Sequence, residues 1–391
     1  MRLCSTPLLC LLITLSTQPI LAQAVSGSTS ETVKATSSAA IAYVYVSWTT
    51  RAGVNEIDGF AAASNGKLTP ISGSPFVGDV TDMALTGKYL YGIDANGADI
   101  DSFSMASDGV LKKIGSIDAQ SHNGAECGGP FFIFLDHTGS TLYDLDFDGN
   151  ICANNTYQFF SGGNSGKLAY LGTTSESTPN FETPLSFTAN NAYAYGAGCY
   201  HGQPTIYGFA RSSNGKLTSL NFNTPTPAYP KAGFDYCPYL AAADPTNHVA
   251  ISLQESEEES LVGTPQLASY TVGSGGKLTT TSTYKNMPYV SVGGVNWLRM
   301  APSGKLLAVG GTAGLQIFHF NGSSPITHDT GQLTKDPISQ IFWDNDNHVY
   351  AVSQSAGKLF VFTATPTSVS QAPGSPYSIS KVQNLIVQPT P

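Results

Sequence analysis

The amino-acid sequence predicts an all-β protein, a seven-bladed β-propeller with four-stranded blades, and three observations support this prediction. A short pattern recurs seven times along the chain, 40 glycines and 23 prolines supply many turns, and only 12% of the 391 residues are charged. A self-similar unit of roughly 40 to 60 residues is typical of solenoids and propellers. Helices are disfavoured because Gly and Pro interrupt nearly every window before it reaches about ten residues.

The clearest copy of the repeat is Phe60 to Phe76, FAAASNGKLTPISGSPF. Each copy has an aromatic residue three positions after an apolar one, and a small turn residue six positions after the aromatic one. The turn residues are Gly66, Gly109, Gly166, Gly215, Gly276, Ser324 and Ser368. Glycine adopts the positive φ that a tight strand connection demands. We therefore expect one common turn in five blades and turns of a different construction in the last two.

Two further apolar stretches complete each unit. A second strand precedes each copy, in the stretches Tyr43 to Trp48, Tyr89 to Asp94, Thr141 to Phe147, Ala192 to Gly196, His248 to Gln254, Leu306 to Gly310 and His348 to Gln354. A first strand precedes all but the earliest of these, in the stretches Val80 to Leu85, Phe131 to Leu135, Leu185 to Thr188, Tyr239 to Ala243, Trp297 to Met300 and Gln340 to Trp343. The missing first strand is supplied by Asn384 to Val387 at the end of the chain. We therefore expect this C-terminal inner strand to join the N-terminal blade and close the ring.

The first 40 residues do not fit the repeat. Arg2, an apolar run from Leu8 through Leu15 and the small-residue pattern Ala22-Gln23-Ala24 are typical of a secretory signal peptide. We expect a signal peptide at 1–24, a disordered linker rich in Ser, Thr and Ala at 25–40, and a single propeller domain at 41–391. The protein is then secreted or periplasmic.

The charge balance narrows the range of partners. Without Arg2 the chain has 17 Lys and Arg against 27 Asp and Glu, a net charge of −10. An acidic chain with no basic cluster is a poor partner for nucleic acid or an anionic membrane. No apolar run reaches the roughly 20 residues needed to span a bilayer, so we expect no membrane insertion. We also expect a monomer without a cofactor or metal.

Four cysteines follow the predicted signal peptide: Cys127, Cys152, Cys199 and Cys237. An even number in an exported chain predicts two disulfides, and the sequence alone allows three pairings. In a four-stranded blade, the loops entering the first strand and those joining the second and third strands open on one face, and all four cysteines lie in such loops. The simplest expectation pairs Cys127 with Cys152 and Cys199 with Cys237; free buried thiols are the alternative.

The turn segments Gly66 to Pro70 and Gly73 to Phe76, the latter repeated as Gly374 to Tyr377, carry a family resemblance. They resemble the seven-bladed propeller lactonases, which include 6-phosphogluconolactonase, carboxymuconate-lactonising enzymes and many secreted bacterial relatives. The resemblance extends from about Ala42 to Val387 and implies hydrolysis of a lactone ring at the mouth of the channel. The family's Pro-Arg-His stretch has no counterpart in His122 to Pro130, and its Asn-Glu pair is matched best by Gln254-Glu255.

Candidate site residues gather on the face that carries the cysteines, and they are His122, Glu126, Asp148, His201, Lys231, Asp235 and Glu255. Opening a lactone requires a His or carboxylate with a tuned pKa. One hypothesis is therefore a secreted lactonase with His122 or His201 as base and Glu126 or Asp235 as its partner, acting on a small-molecule lactone. The alternative, favoured by the missing signatures, is a non-catalytic propeller that binds a protein or glycan.

Overall fold

A computed structural model describes residues 39–49, 53, 55–122, 129–146, 155–176, 184–200, 203–221, 224–257, 260–328, 330–365 and 367–390. These residues lie in one compact unit. They form seven antiparallel sheets and three short 3-10 helices, at Gln120–His122, Gly163–Ser165 and Ser274–Gly276. No helix within these ranges is long and apolar enough to cross a membrane.

Each sheet is one blade, and we number the blades 1 to 7 by the position of their second strand in the chain. The first, innermost strands are β30 (Val382–Pro389), β5 (Val80–Thr86), β9 (Pro130–Leu135), β13 (Ser186–Phe187), β17 (Phe234–Ala243), β21 (Val295–Met300) and β25 (Gln340–Trp343). The second strands are β1 (Ala42–Thr49), β6 (Tyr89–Asp94), β10 (Thr141–Asp146), β14 (Tyr193–Tyr200), β18 (His248–Glu257), β22 (Leu306–Gly311) and β26 (His348–Ser353).

The outer half of each blade is formed by two strands that flank the repeat turn. The third strands are β2 (Asn55–Ala62), β7 (Asp99–Met105), β11 (Asn155–Ser161), β15 (Gln203–Arg211), β19 (Ser260–Val272), β23 (Gly314–His319) and β27 (Lys358–Thr365). The fourth strands are β3 (Leu68–Pro70), β8 (Leu111–Asp118), β12 (Ala169–Glu176), β16 (Leu217–Ser219), β20 (Leu278–Thr280), β24 (Thr327–His328) and β28 (Ser368–Gln371). Blades 1 and 7 each add a fifth short strand, β4 (Phe76–Val77) and β29 (Tyr377–Ser378).

The ring closes through the C-terminal strand, as the sequence predicts. Strand β30 pairs antiparallel with β1, in a register that runs from Ala42 opposite Pro389 to Ser47 opposite Asn384. The two ends of the domain are also joined by a hydrogen bond of 2.7 Å from Thr390 Oγ1 to the carbonyl of Ala40. Blade 1 therefore combines strands from both ends of the chain.

The repeat glycine connects the third strand of a blade to the fourth and packs on the preceding blade. Gly109, with φ of 84°, lies so close to blade 1 that a Cβ atom would come within 2.6 Å of the Tyr43 ring. Tyr45 Oη donates to the Gly109 carbonyl at 2.6 Å. The same bond joins Tyr143 to Gly215 and Tyr195 to Gly276, each at 2.6 Å. Glycine is therefore needed both for the turn and for the approach of the neighbouring blade.

The last two turns are built differently, as expected. In blade 6 the residue with positive φ is Gly322 (63°), two positions before Ser324. In blade 7 the Thr365 hydroxyl accepts the N–H of Ser368 at 3.0 Å.

Seven hydrophobic clusters form the core, one between each pair of neighbouring blades. Side chains alternate along an inner strand, so that Met83 packs toward blade 1 and Ala84 toward blade 3. Large second-strand tyrosines, among them Tyr45, Tyr143 and Tyr350, are fully buried in these layers. Each blade therefore depends on both neighbours for its core.

Candidate functional site

The inner strands enclose a central channel that contains a cavity of about 650 Å³. The repeat and the strand registers place one residue of each blade at the same level, within the inner strand or, in blade 4, two residues before it, near the loops that enter these strands. In blade order from 1 to 7 these residues are Asn384, Asp82, Phe132, Pro184, Leu240, Trp297 and Gln340. Three neighbouring blades, 7, 1 and 2, supply the polar members, so one arc of the ring is polar and the other is apolar.

Hydrogen bonds link this polar arc to the next blade. Asp82 Oδ2 accepts the backbone N–H of Ile133 in blade 3 at 2.9 Å. Gln340 Oε1 in blade 7 accepts the backbone N–H of Leu385 in blade 1. Leu385 occupies the position in blade 1 that Ile133 occupies in blade 3. The Asn384 amide donates to Asp82 Oδ1. The side chain of Asp82 is thus held in one orientation at the channel wall.

The environment of Asp82 brings the pKa of its carboxyl group close to neutral pH. Burial raises its pKa to about 7, although hydrogen bonds from the backbone of Ile133 and Met83 and from Asn384 favour the ionised form. A carboxyl group with such a pKa at a cavity wall can hold and release a proton under ordinary conditions, which is the property of a general acid or base.

Two further carboxyl groups lie behind Asp82, on the second strand of blade 3. Asp144 and Asp146 are fully buried, and the Gln158 amide donates to Asp146 Oδ2 at 2.8 Å. Burial, and then the neighbouring charge of Asp146, raise the pKa of Asp144 well above its usual range, and the charge of Asp82 adds to this. The protonated form of Asp144 therefore persists to higher pH than that of a free aspartate.

Arg299 lies on β21 in blade 6 and borders the same cavity. Its guanidinium carbon lies 4.2 Å from the centre of the Phe342 ring. Arg299 is exposed, and desolvation by the surrounding protein atoms lowers its pKa to about 10. Asp82 and Arg299 lie three blades apart around the ring, and neither charge contributes to the pKa of the other.

Of the four catalytic residues predicted from the sequence, two are described and neither lines the cavity. His122 is exposed at the end of a 3-10 helix, where its ring stacks on Tyr170 of outer strand β12 with a centroid distance of 4.1 Å. Asp235 is exposed on β17, opposite Ser256. Glu126 and His201, like Asp148, lie outside the described residues. The catalytic roles of all four candidates stay predictions.

The other predicted residues of this face belong to blade 5 and its entering loop. The Lys231 ammonium lies 3.5 Å from the centre of the Phe234 ring. Glu255 is hydrogen-bonded to Tyr229, and this bond adds to the effect of burial in raising the pKa of Tyr229 to about 12.

The predicted disulfide between Cys199 and Cys237 is present, with a Cα–Cα distance of 5.2 Å. It joins the second strand of blade 4 to the first strand of blade 5. Cys127 and Cys152, which the sequence pairs with each other, lie outside the described residues.

Asp82 and Arg299 were not singled out from the sequence, although it contains a signal for the polar arc. Asp82, Gln340 and Asn384 are polar residues inside otherwise apolar inner strands, at the same register in three repeat copies. For Arg299 the only signal is a charge within the apolar stretch Trp297 to Met300.

No family model and no curated protein matches the sequence. Solved structures do match it over most of its length. A Lactobacillus plantarum protein is 16% identical, with 89% of this chain and 99% of that chain covered and a TM-score of 0.65. The periplasmic gluconolactonase of Pseudomonas aeruginosa is 12% identical, with coverage of 90% and 99% and a TM-score of 0.63. A hypothetical selenium-binding protein of Sulfolobus tokodaii is 8% identical, with coverage of 90% and 94% and a TM-score of 0.61. These similarities show a common fold and confirm the structural resemblance to a lactonase-like propeller.

Proposed function

We propose that this protein hydrolyses a lactone in its central channel, with Asp82 as the general base. The observation that supports the proposal is a carboxyl group with a pKa of about 7 at the wall of a cavity of about 650 Å³. A cavity of this size lies within the range of small-molecule sites. The similarity in fold to a periplasmic gluconolactonase supports the reaction class.

The chemistry needs one base and one bound water. The ionised Asp82 takes a proton from water as the water oxygen attacks the lactone carbonyl carbon. The ring C–O bond then breaks, and the leaving alkoxide takes the proton that Asp82 had accepted, which gives a hydroxy acid and restores the ionised carboxylate. Ile133 and Asn384 fix the two carboxylate oxygens, so that the base is oriented before the substrate arrives.

We propose that this activity is exercised outside the cytoplasm. The predicted signal peptide at 1–24 and the disulfide between Cys199 and Cys237 support an oxidising compartment, since disulfides persist there.

The test is a panel of lactones assayed with the wild type and with Asp82→Asn. We expect the substitution to lower kcat by about 100-fold or more, the usual contribution of a general base. The wild-type rate should rise with pH through about 7, because only the ionised carboxylate accepts a proton. Asp99→Asn is the matched control, since the pKa of Asp99 is also raised but the residue lies outside the cavity lining. Full activity in Asp82→Asn would refute the role of Asp82.

A non-catalytic propeller that binds a glycan or a protein is the second candidate, and an aromatic surface supports it. Tyr289 is 46% exposed, and the nearby half-buried rings of Tyr229 and Tyr284 lie 5.5 Å apart. The Tyr236 ring, 5.1 Å from that of Tyr229, is buried beneath them. Exposed tyrosines present an apolar face with a polar end, as binding surfaces often do. Absence of lactone turnover, together with glycan binding that Tyr289→Ala abolishes, would favour this function.

A further inference from the structure

We propose that a tyrosine surface on blade 5 binds an organic cation, a quaternary ammonium group, between its aromatic rings and a carboxylate. The members of the tyrosine surface are Tyr229, Tyr236, Tyr284, Tyr289 and the carboxylate of Glu255. It lies on the side of blade 5 that packs against blade 4, and none of its residues lines the central cavity. Neither function proposed above involves an organic cation, and the binding does not depend on lactone hydrolysis.

Separate segments of the chain bring these side chains together. Tyr229 lies in the loop that enters β17, and Tyr236 lies on β17 itself. Tyr284 and Tyr289 follow β20, in the connection to blade 6. Tyr236 lies directly opposite Glu255 of β18 in the strand register, so both side chains are on the same face of the blade. The fold therefore gathers four rings and one carboxylate at one place.

Hydrogen bonds fix the outer rings of this surface. The Tyr229 hydroxyl is bonded to the carboxylate of Glu255. The Tyr289 hydroxyl donates to that of Tyr284 at 3.4 Å. A site whose side chains are already held in place loses less conformational freedom when a ligand binds. The tyrosine surface is therefore partly organised for binding.

The angles between the rings favour a rounded cation over a flat ligand. The planes of Tyr229 and Tyr284, which are half-buried, meet at 71°, and Tyr236 beneath them meets Tyr229 at 70°. Rings at such angles form a corner, whereas a flat ligand stacks best on a single open face. The face of an aromatic ring carries negative charge density and attracts cations, quaternary ammonium groups among them. The methyl groups of such a cation can contact both walls of the corner.

The carboxylate gives the tyrosine surface a negative charge. None of the ion pairs within the described ranges includes Glu255, which is half-buried. Burial, followed by the hydrogen bond and the charge of Glu255, raises the pKa of Tyr229 to about 12. The hydrogen bond to Tyr284 and burial raise the pKa of Tyr289, and the charge of Glu255 adds to this. The charge of one carboxylate thus reaches rings from two segments, and a bound cation would offset it.

The chain itself places a cation on the adjoining ring. The exposed Lys231 ammonium lies 3.5 Å from the centre of the Phe234 ring, which stacks on Tyr229 at 5.7 Å. Among the described residues no cation lies over Tyr229, Tyr284 or Tyr289, so their faces are available to a ligand. A primary ammonium is strongly hydrated, whereas a quaternary one has no N–H groups and suits contact with apolar rings.

Calorimetric titration of the folded protein tests the binding. The probes are tetramethylammonium chloride, tert-butanol as an uncharged molecule of similar shape, and cellohexaose as a soluble glycan, all at one ionic strength set with NaCl. We expect saturable binding of tetramethylammonium, and binding of tert-butanol that is weaker by about tenfold or more because it lacks the charge.

Charge variants test the sign of the interaction. Glu255→Gln should weaken binding of tetramethylammonium by about threefold or more, because the attracting charge is lost while the hydrogen bond to Tyr229 can be kept. Lys231→Met should bind it at least as tightly as the wild type, because a nearby like charge is removed. Asp235→Asn is the matched control. Asp235 is exposed on the opposite face of β17 from Tyr236, so this change should alter the affinity by less than about twofold.

Ring variants test the aromatic walls. The double variant Tyr284→Leu with Tyr289→Leu should lose saturable binding, whereas Tyr289→Phe, which keeps the ring, should bind within about twofold of the wild type. Thermal unfolding of each variant checks that the fold is kept. The proposal is overturned if tetramethylammonium does not bind, if tert-butanol binds equally well, if Glu255→Gln binds as the wild type does, or if only cellohexaose binds. Ammonium binding without lactone turnover would refute the hydrolase alone, and turnover without ammonium binding would refute this site alone.

Discussion

At the scale of single residues, the raised pKa of Asp82 couples the stability of the fold to pH. The pKa of Asp in an unfolded chain is about 3.9, whereas burial raises that of folded Asp82 to about 7. Between these values the folded protein holds a proton that the unfolded chain has released. The contribution of Asp82 to the free energy of unfolding is therefore complete below about pH 4, falls as the pH rises toward 7, and is lost above it.

Asp82→Asn should remove this dependence. We expect the slope of the unfolding free energy against pH to become less negative by about 1.4 kcal/mol per pH unit between pH 5 and 6. Urea unfolding at closely spaced pH values measures it. Some slope should remain, because the pKa of Asp144 is raised as well. Asp235→Asn, at an exposed position, is the control; an identical slope in the wild type and Asp82→Asn would contradict the assignment.

The sequence could not reveal Asp82 because its environment is formed by residues distant in the chain. Its partner Asn384 is 302 positions away and arrives only when the ring closes. The sequence instead directed attention to His122, since a histidine in an irregular loop is a candidate general base. The structure places this histidine against the outer strand of blade 3. Residue type is visible in a sequence, but the level of a residue within the channel is not.

At the scale of elements, the repeat turn both connects the third and fourth strands of a blade and packs against the preceding blade. Substitutions at two glycines, one with this packing and one without it, measure the two contributions separately. Gly109 and Gly97 both have positive φ, 84° and 74°. A Cβ on Gly109 would lie 2.6 Å from Tyr43 and 2.8 Å from Ile71, whereas a Cβ on Gly97 would meet no atom within 4 Å. Gly97→Ala should cost about 1 to 2 kcal/mol of unfolding free energy, the penalty for the left-handed conformation.

Gly109→Ala should cost about 1 to 3 kcal/mol more than Gly97→Ala, because overpacking against blade 1 is added to the same backbone penalty. Chemical denaturation of the two variants gives the difference directly. Equal losses would mean that the turn does not contribute to packing between blades.

The repeat made the elements predictable because turns depend on local sequence. Strand limits were less predictable where tertiary pairing overrides local signals. The sequence predicts the first strand of blade 5 from Tyr239 to Ala243, yet β17 begins at Phe234. Pro238 is accommodated at a register shift opposite Leu253, and the preceding residues pair with an extended β18.

At the scale of the whole molecule, the ring is held by the pairing of β30 with β1, which joins residues from the two ends of the chain. Ending the chain at Lys381 removes β30, exposes the edge of β1 and removes Asn384 from Asp82. We expect this truncated chain to lose cooperative thermal unfolding and to aggregate, because an open ring presents unpaired strand edges.

A circular permutant distinguishes loss of the ring from loss of chain continuity. Ala40 and Thr390 are hydrogen-bonded to each other, so a short linker can join these positions while the chain is opened between residues 179 and 180, in the connection from β12 to β13. Every blade then consists of consecutive strands. We expect the permutant to fold and to unfold cooperatively near the temperature of the parent, since all strand pairs are kept. The opposite result would be a permutant that fails to fold and a chain truncated at Lys381 that keeps a cooperative transition. In that case the pairing of β1 with β30 does not hold the ring together. The Asp82 site would then not depend on ring closure.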